Sequence, residues 1–269
     1  MRGCFPVMNG GDGVILSKRG DVCYGWEVEL PPAFRCNEER YDAIVQALFS
    51  AVTLLPDYTV VHKQDVYMKK KYVAEKSDGL LQEAYERHFD GREYLDHRCR
   101  LFLIFSSKKN VRGASSGLLG ISAGGSMPKA EALARYAAMA EQFATVVQGC
   151  GLLEMRRLTE DDIFGAGDFP GLIQDYLNFT DEGEDVLSDI QMRRDRVRTG
   201  DRYIGCHLIA DLDQLPAEVA SCRKVTSLST DSSAVNLSFL NEIGQELDCE
   251  HIVNHFILKE PQKMNTEKL

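Results

Sequence analysis

Apolar and polar positions alternate with period two between residues 14 and 30. Val22, Tyr24, Trp26, Val28 and Leu30 fall on one side, Asp21, Cys23, Glu27 and Glu29 on the other, which predicts a half-buried strand. Val14–Ser17 would pair with it across a turn at Lys18-Arg19-Gly20-Asp21, and Pro31-Pro32 would end it. The period then changes. Asn37 can cap a helix with Glu38 and Glu39 in its first turn, and Tyr41, Ile44, Val45, Leu48, Val52 and Leu55 follow at helical spacing until Pro56-Asp57. Residues 59–67 read as a strand, 80–89 as a short helix, and 101–105 as a central strand buried on both faces. After a Ser/Gly/Lys-rich connection over 106–125, Ser126 and Pro128 open a helix with Leu133, Tyr136, Ala140, Phe143 and Val147 on one stripe. Gly149 and Gly151 close it, and residues 152–158 return as a strand.

This order, β-β-α-β-(α)-β-α-β, predicts an α+β fold: a mostly antiparallel sheet with helices packed on one face. The texture changes at Thr159. Short helical pieces flank Gly165-Ala166-Gly167, an acidic loop runs from Asp181 through Glu182 to Asp185, and strand-like segments follow at 192–198, 203–210, 234–240 and 252–259. Two subdomains are therefore expected, an α+β sandwich over 1–158 and a strand-rich part over 159–269.

Composition narrows the function classes. With 31 Lys+Arg against 41 Asp+Glu the 269-residue chain carries a net charge of −10, so a phosphate backbone would repel it and direct nucleic-acid binding is not expected. No run approaches 18 apolar residues, so no transmembrane segment is expected, and the N-terminus lacks the apolar core of a signal peptide. The eight cysteines are spread without close pairs, which suits a reduced, cytosolic protein.

Several motifs have spacings that suggest chemistry. Gly113–Gly117 and Gly120–Gly124 both match G-x-S-x-G, and the second would make Ser122 the nucleophile of a serine hydrolase with His207, His251 or His255 as base. Only about two apolar residues precede it, where a supporting strand usually has 5–6. Gly120 and Gly125 have P-loop spacing, but Ser126 and Met127 stand where the phosphate-binding Lys and the magnesium-binding hydroxyl belong. Cys249, His251 and His255 are a conceivable metal set without an evident fourth ligand. Asn178, Thr180, Glu182, Gly183 and Asp189 fit a calcium loop poorly, because position 12 lacks its bidentate Glu. Arg194, Arg196 and Arg198 would line one face of a strand, either to meet an acidic partner or an anionic membrane surface, or as a charged edge guarded against aggregation. From the residues alone no catalytic, cofactor or metal site is expected.

Taken together, the stretches Leu55-Pro-Asp-Tyr-Thr-Val-Val-His-Lys-Gln-Asp65, Glu86-Arg-His-Phe89, Tyr94-Leu-Asp-His97, Arg156-Arg-Leu-Thr159 and Leu247-Asp-Cys-Glu-His-Ile-Val-Asn-His255 resemble the N-terminal region of TraG-type conjugation ATPases of Bacteroides-like conjugative transposons. These are relatives of the large type IV secretion ATPase. The resemblance spans nearly the whole chain. It implies a non-catalytic docking and assembly domain at the cytoplasmic face of the inner membrane. Its partners would be channel proteins of that membrane and neighbouring ATPase subunits. It also implies that ATP and Mg²⁺ bind in a later NTPase domain toward which residues 159–269 lead, so no cofactor is implied here. The contact residues expected on charge grounds are Arg194, Arg196 and Arg198 with Asp181, Glu182 and Asp185.

Overall fold

A computed structural model describes residues 7–11, 13–32, 36–76, 78–107, 110–111, 128–166, 169–172, 190–194, 196–199, 202–208, 222–225, 235–237 and 247–261. Its contacts divide the chain into two units. One is formed by Met1–Thr159 together with Ser221–Leu269, the other by Glu160–Ala220.

The first unit is an α+β structure around one antiparallel sheet. Strands β1 (Val7–Gly11), β2 (Val14–Ser17) and β3 (Val22–Glu29) lead into helix α1 (Glu38–Thr53). Strand β4 (Val60–Lys71), helix α2 (Leu80–Phe89) and strand β5 (Glu93–Phe105) follow, then helix α3 (Ala130–Gln148) and strand β6 (Glu154–Arg157). The β2–β3 hairpin turns where the residues predict. Gly20 takes φ 82°, a left-handed conformation open to glycine, and its N–H donates to the Ser17 carbonyl at 3.0 Å. Asp21 fixes the turn: its carboxylate accepts from Ser17 Oγ at 2.9 Å, Ser106 Oγ at 2.7 Å and Asn110 Nδ2 at 2.8 Å. At α1 the Asn37 side chain caps as expected, accepting from the Arg40 N–H at 3.1 Å.

The second unit holds helix α4 (Glu160–Phe164) and strands β7 (Gly165–Ala166), β8 (Phe169–Pro170), β9 (Ile190–Met192), β10 (Val197–Thr199) and β11 (Arg202–Ile204). Back in the first unit, β12 (Arg223–Val225) pairs with β13 (Val235–Leu237), and β14 (His251–Leu258) joins the main sheet. That last strand was expected in the second subdomain. It pairs antiparallel with β4 along its whole length, from His251 opposite Tyr67 to Leu258 opposite Val60.

The main sheet runs β1-β2-β3-β5-β4-β14, and β6 pairs with the second half of β3. Helices α1 and α3 pack side by side over one face. Tyr41, Ile44, Ala140, Phe143 and Val147 meet Val22, Tyr24, Trp26, Leu101 and Leu103 in the core. On the opposite face Gly25 is needed, since a methyl there would lie 2.8 Å from the Leu158 side chain and 3.0 Å from the Phe102 ring. Strands β4 and β5 both run further than their apolar stretches. Their polar halves stay paired because charges meet between the two strands, as Lys70 does with Asp96 at 2.7 Å.

The junction from α1 to β4 contains one strained residue. Tyr58 has φ 67°, and Thr59 N–H closes a turn on the Pro56 carbonyl at 3.3 Å. Tyr58 N–H donates to the Lys259 carbonyl at 2.7 Å while Lys259 N–H donates to the Thr59 carbonyl at 2.9 Å. Two residues of one strand thus oppose one of the other, a β-bulge whose first position favours glycine. Tyr58→Gly should be tolerated within about 1 kcal/mol, whereas Tyr58→Val should be less stable than the glycine variant by about 2 kcal/mol, since a β-branched side chain tolerates the left-handed region poorly. Urea denaturation of the two variants checks this.

Candidate functional site

The most polar interior of the described residues lies on the helix-covered face, where strands β5, β4 and β14 run together. Alternation puts Lys63, Asp65 and Tyr67 of β4 on that face. Register places Cys99 opposite Asp65 and His97 opposite Tyr67 on one side, with His251 opposite Tyr67 on the other. The three rings stack across the three strands, Tyr67 lying 4.5 Å from His97 at 10° and 4.5 Å from His251 at 16°. Asp65, only 2% exposed, accepts hydrogen bonds from Lys63 Nζ and from His97 Nε2 at 2.9 Å.

Electrostatics fixes the protonation of this cluster. Burial alone would raise the Asp65 carboxyl, but the His97 hydrogen bond and the Lys63 charge outweigh it and hold it below its ordinary value. Cys99 is pushed up to about 12, chiefly by burial. Burial, with the Asp65 charge beside it, also raises the Tyr67 phenol. At neutral pH the site therefore holds a paired carboxylate, a protonated thiol and a protonated phenol. A thiol this basic is a poor nucleophile. The arrangement can bind charge and fix register, and it has no activated group.

Beside it, β14 forms one edge of the main sheet. Its eight residues, His251-Ile-Val-Asn-His-Phe-Ile-Leu258, include no formal charge and no proline, the two commonest protections of an edge. Lys259 directs its N–H and C=O toward β4, so by the alternation of an antiparallel ladder Ile252, Asn254, Phe256 and Leu258 direct theirs away. Phe256 is 65% exposed.

A second apolar surface is helix α2. Glu86 is its buried residue, and the carboxylate accepts from Tyr72 Oη at 2.8 Å and from the Glu75 N–H at 2.9 Å. With the helix held by its acidic side, Leu80 (84% exposed), Leu81 (87%) and Tyr85 face outward.

The residues expected to carry function fare differently. Arg194, Arg196 and Arg198 do not share a strand face. Arg193, Arg194 and Arg196 lie between β9 and β10, with Arg193 N–H donating to the Arg196 carbonyl at 2.9 Å, because Val197 pairs back onto Met192. Arg196 and Arg198 instead lie over the Tyr203 ring, at 5.4 and 6.0 Å. Asp181, Glu182 and Asp185, the calcium-like loop, Ser122 and both glycine motifs lie outside the described residues. His251 and His255 are on a strand, where four residues span about 13 Å, too far for one ion. Among the described residues no three His, Cys, Asp or Glu side chains gather as a metal site. Sequence reasoning missed Lys63, Asp65, Tyr67 and His97. The period-two spacing of Lys63, Asp65 and Tyr67 inside an apolar strand was the available signal.

No protein-family model matches this chain, and none of the curated proteins searched matches it.

Removing one member of the buried pair should be costly. Asp65→Asn leaves Lys63 charged and uncompensated, and should cost about 3–5 kcal/mol, whereas the double change Lys63→Met with Asp65→Leu should cost less than Asp65→Asn alone. Because the Asp65 carboxyl sits below its ordinary 3.8, its stabilisation is complete above about pH 4 and is lost as pH falls through the lowered value. The acid limb of a Tm-against-pH curve should flatten in Asp65→Asn.

Proposed function

We propose that this chain is a docking and assembly domain acting through protein contacts, and that its partners are those of the TraG-type conjugation ATPases it resembles. These are inner-membrane channel proteins and neighbouring ATPase subunits, met at the cytoplasmic face of the membrane. The observation that carries the reading is the outward apolar face of α2, where Leu80, Leu81 and Tyr85 stand in solvent while a carboxylate is turned inside. Burying such side chains is the main driving force of association, and exposed clusters of them mark interaction surfaces. The saturated Asp65 cluster agrees, since its groups hold one another and are not poised for chemistry.

No helix among the described residues is long and apolar enough to cross a membrane, so attachment through partners suits the chain. Arg194, Arg196 and Arg198, with Asp181, Glu182 and Asp185, are proposed as charged contacts that set on-rate and register around an apolar anchor. Stacking of Arg196 and Arg198 on Tyr203 holds both cations in place for that role.

Two variants test this in co-purification with the membrane fraction of a conjugating strain. Leu81→Asp with Tyr85→Ala should weaken capture of channel proteins about 30-fold or more, as loss of an apolar anchor worth at least ~2 kcal/mol does. Reversing Arg194, Arg196 and Arg198 to Glu should slow association and change its salt dependence. Capture unchanged in both would end the docking reading.

A further inference from the structure

Four of the six histidines stand on three neighbouring strands: His97 on β5, His62 on β4, and His251 and His255 on β14. Three of them, His62, His251 and His255, lie where β14 meets β4. On the outer face His62 is stacked on Phe256 at 4.2 Å and on Phe102 at 5.4 Å, and its Nε2 lies 2.8 Å from Asn254 Oδ1. That oxygen also accepts from Gln64 Nε2 at 3.2 Å, so His62 Nε2 carries the proton of the neutral ring.

On the helix-covered face His255 sits directly opposite Lys63. A second positive charge there would face the first across the strand pair, an arrangement that destabilises a sheet. His251 lies flat on Tyr67, with its Nδ1 2.7 Å from the Cys249 carbonyl, which makes Nδ1 the protonated nitrogen. Its Nε2 is buried with no hydrogen-bond partner among the described residues. Asp65, the carboxylate facing these rings, is already engaged by Lys63 and His97, and Asp248 beside the start of β14 is paired with Lys69 at 2.8 Å.

We propose that β14 is a pH-operated latch on the main sheet: as pH falls from neutral toward about 5, protonation of His62 and His255 detaches β14 from β4 while the rest of the sheet stays formed. The sign follows from surroundings. Burial lowers His62 below 6.5 despite its Asn254 hydrogen bond, and the nearby His255 adds to that shift. Burial, then the Lys63 charge, lowers His255, with Asp65 only partly offsetting them. The freed strand therefore takes up protons more readily than the paired one, so closure is strongest above about pH 6.5 and weakens as pH drops below it. Opening would leave the long edge of β4 unpaired at the margin of a folded sheet. The latch rests on the β4–β14 contacts alone and does not depend on the docking role.

Hydrogen exchange of the full chain at pH 7.5 and 5.5, corrected for intrinsic rates, tests it. Protection of the amides of 251–258 that face β4, those of His251, Val253, His255 and Ile257, should fall at least ten-fold at the lower pH while that of 22–29 changes less than two-fold. In His255→Gln, and separately in His62→Gln, the fall should shrink at least three-fold. Equal losses in 22–29 and 251–258, no loss in 251–258, or a full wild-type fall in both variants would overturn the proposal.

Discussion

One ionised carboxylate, Asp65, sits on the covered face of the sheet, and the strands around it are arranged to keep it there. A buried charge is tolerated when it is paired and its remaining oxygen is hydrogen-bonded. Lys63 supplies the charge from two residues away on the same strand, and His97 supplies the hydrogen bond from β5. That bond is satisfied in one register of β4 against β5. A slip of one residue would turn Lys63, Asp65 and Tyr67 to the other face together. Tyr67 then transmits the register to β14 by stacking on His251, so three strands are aligned from one polar requirement.

The same economy separates the interior from the surface. The Cys99 thiol, the Tyr67 phenol and the Asp65 carboxylate are inside, and the carboxylate is engaged by Lys63 and His97. Facing solvent are apolar side chains, Leu80, Leu81 and Tyr85 on α2 and Phe256, Ile257 and Leu258 on β14. Such a distribution suits recognition, because affinity comes from desolvated apolar anchors and an unpaired strand edge can add main-chain hydrogen bonds.

Much of the frame was legible in the chain itself. The β2–β3 hairpin, the Asn37 cap, the stripe of α3 and the antiparallel α+β class follow from local period and turn chemistry, which are properties of neighbouring residues. The polar half of β5 was not, because residues 93–100 form a strand only when β4 lies beside them to match their charges. Nor was the destination of β14, since no local pattern says that His62 and Asn254, 192 residues apart, will share a hydrogen bond. The arginine row failed for a different reason. Period two was read through a turn, where Val197 folding back onto Met192 resets which side each residue faces. The Asp65 cluster was overlooked because charged residues inside a strand pattern read as its solvent side, and here they are on the covered side.

The return of β14 has a consequence for biosynthesis. The ribosome completes β4 at Lys71 and does not begin β14 until His251, with the whole second unit made in between. At ~5–20 residues per second the outer border of β4 waits roughly 10–40 s for its neighbour. During that interval the nascent sheet carries a strand lacking one side of its ladder, and whatever reaches that border first, a chaperone or another nascent chain, competes with the protein's own β14.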